Sequence, residues 1–348
     1  MGAYLKAIGW LLILTSVYGI FLAAVTVLNW SGADRWWFGA LNLYLPQVMW
    51  AVPGIILTVL IFKADRFWTW LPLLCVLWVL GPIMGFKWSQ QAPVPAPGTL
   101  TVRVMTWNIK YGNYDIAPLI DEIARSQPDV VLFQDAVGSL KGPLGDYFKK
   151  WHVRSYWQFV IASKYPLSDA EVREIHTPGG KQDCLRCQLY IGQSVISLYN
   201  VHFKTPRKGL NAFRGARTQP WHLPKAIKSF DRNVTTRLVQ ATSILGDISQ
   251  EKGPVIVAGD LNSPDASLVC AALRDAGLHD AFAERGRGYG FTYGHFLLKH
   301  RLPWLRISWM RIDHIMVNSS FLTHRCWIGT GKASDHRPVI ADLVLQHP

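Results

Sequence analysis

Three long runs of uncharged, mostly apolar residues fill the first part of the chain and constrain its fold most strongly. They are Ala7–Leu28, Leu43–Phe62 and Phe67–Phe86, each of about 20 residues, the length that crosses roughly 30 Å of hydrocarbon. A cleaved signal peptide is the alternative for the first run, but that run is long for a signal peptide and two more follow it. We therefore predict a three-helix transmembrane anchor over residues 1–86.

Basic residues near the ends of these runs predict the orientation of the anchor. Lys6, Lys63 and Arg66 lie on one side of the predicted spans, and Arg35 and Lys87 lie on the other. Because cytoplasmic loops carry the excess of Lys and Arg, this small difference favours a cytoplasmic N-terminus. With three spans, the rest of the chain would then be extracytoplasmic.

The remainder of the chain differs in composition from the anchor. The 348 residues are 50% hydrophobic and include 16 Trp, which is too apolar and aromatic for one soluble domain, yet the net charge is +13 and most charged residues follow residue 98. Residues 87–99, KWSQQAPVPAPGT, are typical of a stiff, extended linker that would hold the next domain near the membrane. We expect a basic globular domain over residues 100–348.

Short apolar strands and amphipathic helices alternate in this domain without the period of a βαβ array. Predicted strands are Leu100–Ile109, Val130–Gln134, Tyr156–Leu167, Leu185–Gly192, Ser194–His202, the start of Val255–Ser263, and Arg311–Asn318 and Pro338–Leu345 as the last two. Predicted helices are Asp115–Ser126, Asn233–Lys252 with Asn233 as its N-cap, and a short helix ending at Gly277. The pattern predicts an α+β fold, a two-sheet β-sandwich flanked by helices.

The segment Val255–Ser263, VIVAGDLNS, combines a predicted core strand with two polar residues at its end. Asp260 and Asn262 are two positions apart, so on an extended chain they face the same way. A carboxylate and a carboxamide placed together suit a hard cation and a phosphate oxygen. The structural alternative is an Asx turn that closes the strand.

Acidic, amide or imidazole side chains stand at the ends of six predicted strands. They are Asn108, Asp135, His202, Asp260 with Asn262, Asp313, and Asp335 with His336. Because the strand ends of one sandwich converge on a rim, these side chains are expected to lie together. Carboxylates, amides and histidines without cysteine are typical of a hard-metal phosphoesterase, although each histidine has a structural surface role as its alternative.

The cysteines add little to this picture. Cys184 and Cys187 form a single CxxC pair, and no second pair completes a zinc site. A disulfide and two unpaired thiols both remain open. Cys270 and Cys326 are predicted core residues.

Seven motifs, in this order, resemble those of the endonuclease/exonuclease/phosphatase superfamily. They are TWNIKYG, DVVLFQD, IASKYPL, LYNVHF, VAGDLNS, RIDHIMV and SDHRPV. The superfamily includes deoxyribonuclease-type nucleases, abasic-site endonucleases, inositol-polyphosphate 5-phosphatases and neutral sphingomyelinases. The resemblance implies a deoxyribonuclease-like fold. The three-span anchor resembles a bacterial branch, some of whose members act on polyprenyl pyrophosphate or other lipid phosphates.

The resemblance implies a divalent cation, Mg²⁺ or Mn²⁺, bound by Asn108 and Asp135 with Asp335 close to it. One departure concerns this site, because the family usually has Gln-Glu where this chain has Gln134-Asp135. The shorter side chain withdraws the carboxylate by one methylene. Metal binding through a small shift or a bridging water remains compatible with it, and so does a catalytically silent binding domain.

The resemblance also implies the catalytic roles. Asp260 would orient or deprotonate the attacking water, and His202 and Asn262 would contact the scissile phosphate. His336, positioned by Asp313, would be the second phosphate-facing imidazole. Independently of any family, in-line attack on an anionic phosphoester needs a cation to neutralise charge and a base to accept the proton.

Two stretches are candidates for substrate contact. Lys204–Lys228 begins just after His202 and has no acidic residue; its predicted substrate-binding side chains are Lys204, Arg207, Lys208, Arg214 and Arg217. The stretch suits a nucleic-acid backbone, with Phe213 and Trp221 for base stacking, or anionic headgroups; a solvated basic loop is the alternative. The second stretch, Tyr293–Arg311, mixes apolar and basic residues, as an interfacial segment does, although buried packing also fits.

These features together predict a membrane-anchored, divalent-metal-dependent hydrolase of a phosphoester or pyrophosphate bond. The predicted location is a bacterial inner or plasma membrane, and the lipid bilayer is the predicted partner. A substrate confined near the bilayer and apolar residues suited to a lipid chain favour a lipid-linked phosphate. A nuclease with the same metal site is the second candidate, and no protein partner is inferred.

Overall fold

A computed structural model describes residues 2–90, 92–112, 115–216, 218–294 and 307–346 of the chain. The chain forms two compact units, Met1–Lys87 and Trp88–Pro348. Most of the predicted linker therefore falls in the second unit. There Ser89 N donates to Gly286 O at 3.3 Å, and Ala92 N donates to His324 O at 3.2 Å.

The first unit is helical. Its helices are α1 (Gly2–Trp30), α2 (Trp37–Tyr44), α3 (Ala51–Ala64) and α4 (Trp70–Trp78). Turns of 3₁₀ helix cover Ala33–Arg35, Gln47–Trp50 and Arg66–Thr69, and a π-helical turn extends α4 over Val79–Ile83. Leu22, Leu57 and Val76 are buried between the helices, whereas many other large apolar side chains of the unit are exposed. Such exposure is expected of helices that face lipid.

Three helical segments are long and apolar enough to cross a membrane, namely Lys6–Trp30, Gln47–Ala64 and Arg66–Ile83. The first is slightly longer than the predicted run Ala7–Leu28, and the other two differ from their predicted runs more strongly. Leu43 belongs to the separate helix α2, because the backbone is extended at Leu45 and Pro46, so the second segment starts only at Gln47. The third ends at Ile83, since the following turn takes Gly85 to a left-handed φ of 70°.

The second unit contains the strands. They are β1 (Lys87–Trp88), β2 (Thr101–Asn108), β3 (Val130–Gln134), β4 (His152–Tyr156), β5 (Phe159–Ser163), β6 (Glu171–Thr177), β7 (Gly180–Ile191), β8 (Ser194–His202), β9 (Val255–Asp260), β10 (His279–Asp280), β11 (Arg287–Gly288), β12 (Asp313–Val317), β13 (Phe321–Ile328) and β14 (Val339–Leu345).

Twelve of these strands form two six-stranded mixed sheets. The first sheet has the order β13-β14-β2-β3-β5-β4, and the second has the order β10-β12-β9-β8-β7-β6. Each sheet has one parallel pair near its centre, β2 with β3 and β8 with β9, and its other pairs are antiparallel. The predicted two-sheet sandwich is confirmed.

The helices of the second unit are α5 (Ile116–Ser126), α6 (Pro143–Tyr147), α7 (Arg207–Ala216), α8 (Leu223–Ile248), α9 (Leu268–Asp275) and α10 (Ala281–Arg285). Of these, α5 and α6 pack on the outer face of the first sheet and α8 and α9 on that of the second, whereas Phe282 of α10 joins the interior. Side chains of both sheets, such as Leu132 and Leu198, share the interior cluster of the sandwich. Ile123 of α5 packs on the outer face of the first sheet, and Ile244 of α8 packs on the outer face of the second.

Several details of the predicted secondary structure are wrong. Asn233 is not an N-cap, because α8 already begins at Leu223 with Pro224 in its first turn. Strand β13 separates β12 from β14, so the predicted last two strands are not the last two. Tyr156 ends β4 rather than starting a strand, since the chain turns at Trp157 (φ 45°) before β5.

Candidate active site

The two parallel strand pairs bring the predicted site residues to one edge of the sandwich. In the first sheet, Asn108 at the end of β2 lies in register with Gln134, which precedes Asp135. In the second sheet, His202 and Asp260 end adjacent strands in register, and Asp313, the first residue of β12, lies opposite Asp260. The convergence predicted from the strand ends is therefore present in the structure.

A close backbone contact fixes the end of β9. A Cβ atom on Gly259, the residue before Asp260, would lie 1.9 Å from Val201 O, so a side chain does not fit there. Two residues later, Asn262 adopts a left-handed φ of 47°, which asparagine tolerates better than most residues. Asn262 N donates to Asp260 Oδ1 at 2.8 Å. The Asx turn is thus present, and it holds the same carboxylate that faces the site.

The carboxylate of Asp260 is the convergence point of the site. Asn108 Nδ2 donates to its Oδ2 at 3.1 Å. His202 Nε2 lies 3.6 Å from the same oxygen, and His336 Nε2 lies 3.8 Å from it. Burial and the nearby Asp313 raise the pKa of Asp260 to about 6, although both histidines act in the opposite direction. Asp260 is therefore ionised at neutral pH and still basic enough to accept a proton.

His336 is held by the buried carboxylate of Asp313. Its Nδ1 lies 3.0 and 2.9 Å from the two oxygens of Asp313, and its Nε2, on the other side of the ring, faces Asp260. Burial lowers the pKa of His336, but Asp313 and Asp260 outweigh this and raise the pKa to about 9. His336 is therefore an imidazolium at neutral pH. Trp107 Nε1 donates to its backbone oxygen at 3.0 Å and fixes the loop before β14.

Asp260, Asp313 and His336 also bring possible ligand atoms within 4.8 Å of one another. This proximity alone is compatible with a metal site. Asp313 holds Nδ1 of His336, and the raised pKa of His336 keeps its Nε2 protonated when no cation is bound, so that the metal-free arrangement is that of an acid–base group.

His202 connects the two sheets at the site. Its Nδ1 lies 2.7 Å from Gln158 Oε1 and 3.6 Å from Asp135 Oδ1. Asp135 follows β3 with a left-handed φ of 48°, and its side chain is hydrogen-bonded to that of Tyr111. Tyr111 N also donates to Asp135 O at 2.5 Å. The shorter carboxylate thus still faces the site beside His202.

Asp335 forms an ion pair with Lys110 across the site. Lys110 Nζ donates to Asp335 Oδ2 at 2.7 Å, and Lys110 N donates to Asn108 Oδ1 at 3.1 Å. Burial raises the pKa of Asp335, but the charges of His336 and Lys110 outweigh it, and the pKa is lowered. The other oxygen, Oδ1, is buried and has no hydrogen-bond partner in another described residue. A buried, ionised oxygen without a donor fits a cation.

The donor set of Asn108, Asp135 and Asp335 consists of amide and carboxylate oxygens, which suit a hard divalent cation. The side-chain nitrogen of Asn262 is used in a backbone contact, because Nδ2 donates to Phe203 O at 2.9 Å. Contacts to these strand ends place the remaining predicted residues, Asp135, Asn262, Asp335 and His336, at the same edge of the sandwich.

The predicted substrate-binding residues begin at this edge and continue onto a helix. Lys204 is half-buried, whereas Arg207, Lys208 and Arg214 are exposed on α7; Arg217 lies outside the described residues. Burial lowers the pKa of Lys110, but Asp335 outweighs it and the pKa is raised; burial raises the pKa of Tyr111. The positive charge of Arg207 opposes both rises, so Arg207 lies near the site.

Only part of the second predicted stretch is described, since residues 295–306 fall outside the described ranges. Its basic residue Arg311 is not at a surface, which corrects the prediction: it is buried and paired with Asp280 at 2.7 Å and Asp265 at 2.8 Å. His314 joins this cluster through a 2.7 Å contact with Asp280. Tyr293 lies at the site, with its ring centroid 4.7 Å from that of His336.

Other residues of the site did not follow from the sequence. Their position inside the motifs quoted above was the one feature of the sequence that could have indicated them. These residues are Lys110, Tyr111, Gln134 and Asn200. Gln134 Nε2 donates to Asn200 Oδ1 at 2.7 Å, and Asn200 Nδ2 donates to Phe133 O at 2.9 Å. This buried amide pair joins the two sheets directly beneath the site.

The cysteines are resolved as thiols. Cys184 and Cys187 are both buried and unpaired, and Cys270 and Cys326 are core residues as predicted. Burial raises the pKa of Cys184 to about 12 and that of Cys187 to about 11.

The two six-stranded sheets, with acidic, amide and imidazole side chains at one edge, define the class of fold to which the chain belongs. The sequence model of the Endonuclease/Exonuclease/phosphatase family matches residues 105–336, more than half of the chain, so the chain belongs to this family. Members of the family hydrolyse phosphoester bonds and generally depend on a divalent metal. No curated protein matches the sequence.

Solved structures of this family have the same fold. The protein from Bacteroides vulgatus has a TM-score of 0.53 at 18% identity, covering 71% of this chain and 100% of that one. The protein from Beutenbergia cavernae has a TM-score of 0.51 at 18% identity, covering 70% and 72%. Truncated Caenorhabditis elegans TDP2 has a TM-score of 0.52 at 16% identity, covering 70% and 98%. At such identities the likeness concerns the fold.

Proposed function

We propose that the protein is a membrane-anchored, divalent-metal-dependent hydrolase that cleaves a phosphoester or pyrophosphate bond of a lipid-linked substrate. The observation that carries the chemistry is the convergence of Asn108, His202 and His336 on one oxygen of Asp260. This places a base and proton donors around one point at which a water and a phosphate can meet.

In the proposed reaction, Asp260 accepts a proton from the attacking water. Its pKa of about 6 leaves it ionised at neutral pH. The imidazolium of His336 donates a hydrogen bond to a phosphate oxygen, and Asp313 keeps that proton on the ring. His202 and Asn262 contact the phosphate from the second sheet. Each donor is already oriented before substrate binds, which favours the more negatively charged transition state.

We assign Mg²⁺ or Mn²⁺ to Asn108, Asp135 and Asp335. The unpaired, buried Oδ1 of Asp335 supports this assignment. A bound divalent cation would neutralise negative charge on the phosphate as the bond breaks. Removal of the metal with EDTA should abolish hydrolysis of a chromogenic phosphodiester, and Mn²⁺ should restore it. Activity that persists in EDTA would contradict the assignment.

The lipid-linked substrate is inferred from the three candidate spans, which would keep the site near a bilayer. A nuclease is the second candidate, because α7 exposes basic side chains and Trp221, in the same stretch, is 72% exposed, as a base-stacking surface requires. The test offers the detergent-solubilised chain polyprenyl pyrophosphate, phospholipids and sphingomyelin beside single- and double-stranded DNA and RNA. Asp260→Ala serves as the inactive control. Cleavage of nucleic acid without turnover of any lipid phosphate would refute the lipid substrate.

We also propose that the phosphoesterase domain is extracytoplasmic. A phosphatase reporter that works only outside the cytoplasm, fused after the C-terminus, should be active. A reporter that is active only in a cytoplasmic form would reverse the orientation without affecting the chemistry.

A further inference from the structure

An arginine-rich pocket lies on the phosphoesterase domain apart from the residues of the candidate active site. Its volume is about 750 Å³, and its walls come from the segment after α10, from β13 and from the residue that follows His336. Four arginines line it, Arg285, Arg287, Arg325 and Arg337. No Asp or Glu is among the lining residues of the described chain.

The positive charge of this pocket is only partly compensated. Arg325 pairs with Asp342 at 3.3 Å, which Arg103 already contacts at 2.5 Å. Within the described ranges, Arg285, Arg287 and Arg337 form no ion pair and donate only to backbone oxygens. Guanidinium groups gathered in a concavity repel one another, so a bound anion would stabilise them.

Two of these arginines have incomplete hydrogen bonding or solvation. Nε of Arg325 is buried and has no hydrogen-bond partner among the described residues. Arg337 is half-buried; burial lowers its pKa in spite of the opposing charge of Glu122. Both features suit a polyatomic acceptor such as a phosphate, whose oxygens accept from several guanidinium donors at once.

Aromatic rings form the apolar part of the pocket. Arg325 stacks on the ring of Trp327 with 4.1 Å between its guanidinium carbon and the ring centroid. Tyr289 and Phe291 stack on each other with ring centroids 5.0 Å apart. A pocket with both guanidinium groups and rings matches a ligand that is anionic at one end and apolar next to it.

The pocket borders the segment that leaves the candidate membrane anchor. Arg285 Nη1 donates to Gln90 O, and Arg287 Nε donates to Ser89 O, both at 3.2 Å. In the sequence Ser89 comes six positions after Ile83, the end of the third candidate span, and an extended chain of that length reaches only about 20 Å. The neighbouring Trp88 is 79% exposed. Exposed tryptophan beside arginine is typical of a surface at the membrane interface.

We propose that this pocket binds the phosphate of an anionic phospholipid headgroup in the bilayer that holds the anchor. The arginines contact the phosphate, and the rings lie against the glycerol region. The site is separate from the catalytic residues, so the inference rests on the proposed membrane anchor but not on the proposed substrate. It gives the domain a second, non-catalytic attachment to the membrane.

The test uses the full chain in nonionic detergent micelles and calorimetric titration. The ligands are dihexanoyl phosphatidylglycerol, dihexanoyl phosphatidylcholine and inorganic phosphate. The variant Arg285→Gln/Arg287→Gln removes two rim charges. The matched control, Lys149→Gln/Lys150→Gln, removes two exposed charges beside β4, at the opposite edge of the sheet from β13. Hydrolysis of a soluble chromogenic phosphodiester reports that each variant is folded.

Phosphatidylglycerol should bind the wild type and the lysine control alike and bind the arginine variant about 30-fold more weakly. Phosphatidylcholine, with its compensating cation, should bind more weakly than phosphatidylglycerol. Equal affinity in wild type and arginine variant, or an equal loss in the lysine control, would overturn the proposal. Inorganic phosphate that binds as tightly as the lipid would overturn the lipid assignment. A failure here with intact hydrolysis leaves the proposed function standing.

Discussion

Replacing Asp313 with asparagine tests the acid–base assignment most directly. The substitution keeps the size of the side chain but removes the charge that faces His336 at 2.9 and 3.0 Å. Asp313 is fully buried, so water cannot replace the lost charge. The imidazolium of His336 then loses its closest stabilising partner.

The size of the effect follows from the pKa of His336. Its value is raised from an ordinary 6.5 to about 9, although burial acts in the opposite direction. At about 1.4 kcal/mol per pKa unit, this difference corresponds to roughly 3 kcal/mol in favour of the protonated ring. Without Asp313, only Asp260 and the weaker effect of Asp335 oppose the cost of burial, and we expect the pKa of His336 to return to about 7.

The sign of the pH dependence follows from the role of the proton. His336 acts in its protonated form, so activity is present below its pKa and is lost as the pH rises through that value. In the wild type the alkaline limb should lie above neutral pH, toward the pKa of about 9 that His336 has without a bound cation. In Asp313→Asn it should move down by about two pH units, so that the loss of activity is far larger at pH 8 than at pH 6.

The position of the alkaline limb is measured from initial rates on a chromogenic phosphodiester between pH 5 and pH 10, at saturating Mn²⁺. The control is Asp342→Asn, another buried aspartate, which pairs with Arg103 away from the site and should leave the limb in place. Circular dichroism checks that both variants fold. An alkaline limb at the same pH in wild type and folded Asp313→Asn would refute the pairing of Asp313 with a catalytic imidazolium.

Three further predictions address the base, the metal and the core. Asp260→Ala should lower kcat/KM by roughly 10²–10⁴ while Mn²⁺ affinity measured by calorimetry changes little; a parallel loss of Mn²⁺ binding would assign Asp260 to the metal instead. Asp135→Ala should weaken Mn²⁺ binding about tenfold or more, and Asp135→Glu should retain it; equal affinities in all three proteins would exclude Asp135 as a ligand. Asp280→Ala leaves Arg311 and His314 buried without their carboxylate. Urea denaturation should show a free energy of unfolding lower by about 3–5 kcal/mol. The control Asp146→Ala removes an exposed carboxylate and should change that free energy by less than about 1 kcal/mol.

The central strands were predictable from the sequence because both of their faces are buried, and the site residues were predictable because they stand at the ends of these strands. Strands β3 and β9 are continuous apolar runs that end in polar residues, and such runs are readable without a structure. The missed strands are those at sheet edges. Strands β6 and β13 carry charged or polar residues such as Arg173 and Arg325, because an edge strand pairs on one side and is only partly buried.

Long-range pairing explains the rest of what the sequence did not reveal. Lys110 and Asp335 are 225 positions apart, and neither residue type indicates the other. Asn233 has the residue type of an N-cap, but it lies inside α8 and donates to Thr205 O at 2.8 Å. Its role depends on a contact between α8 and the loop after β8, which local propensity does not determine.

The buried amide pair of Gln134 and Asn200 has a consequence for how the site comes into being. Gln134 directly precedes Asp135, and Asn200 lies two residues before His202, so the pair ties together the strand ends that carry one site residue from each sheet. Neither sheet contains a complete set of catalytic groups. During refolding, hydrolytic activity and tight Mn²⁺ binding should therefore return in the last kinetic phase, together with burial of the sandwich interior, and no partly folded intermediate should hydrolyse substrate.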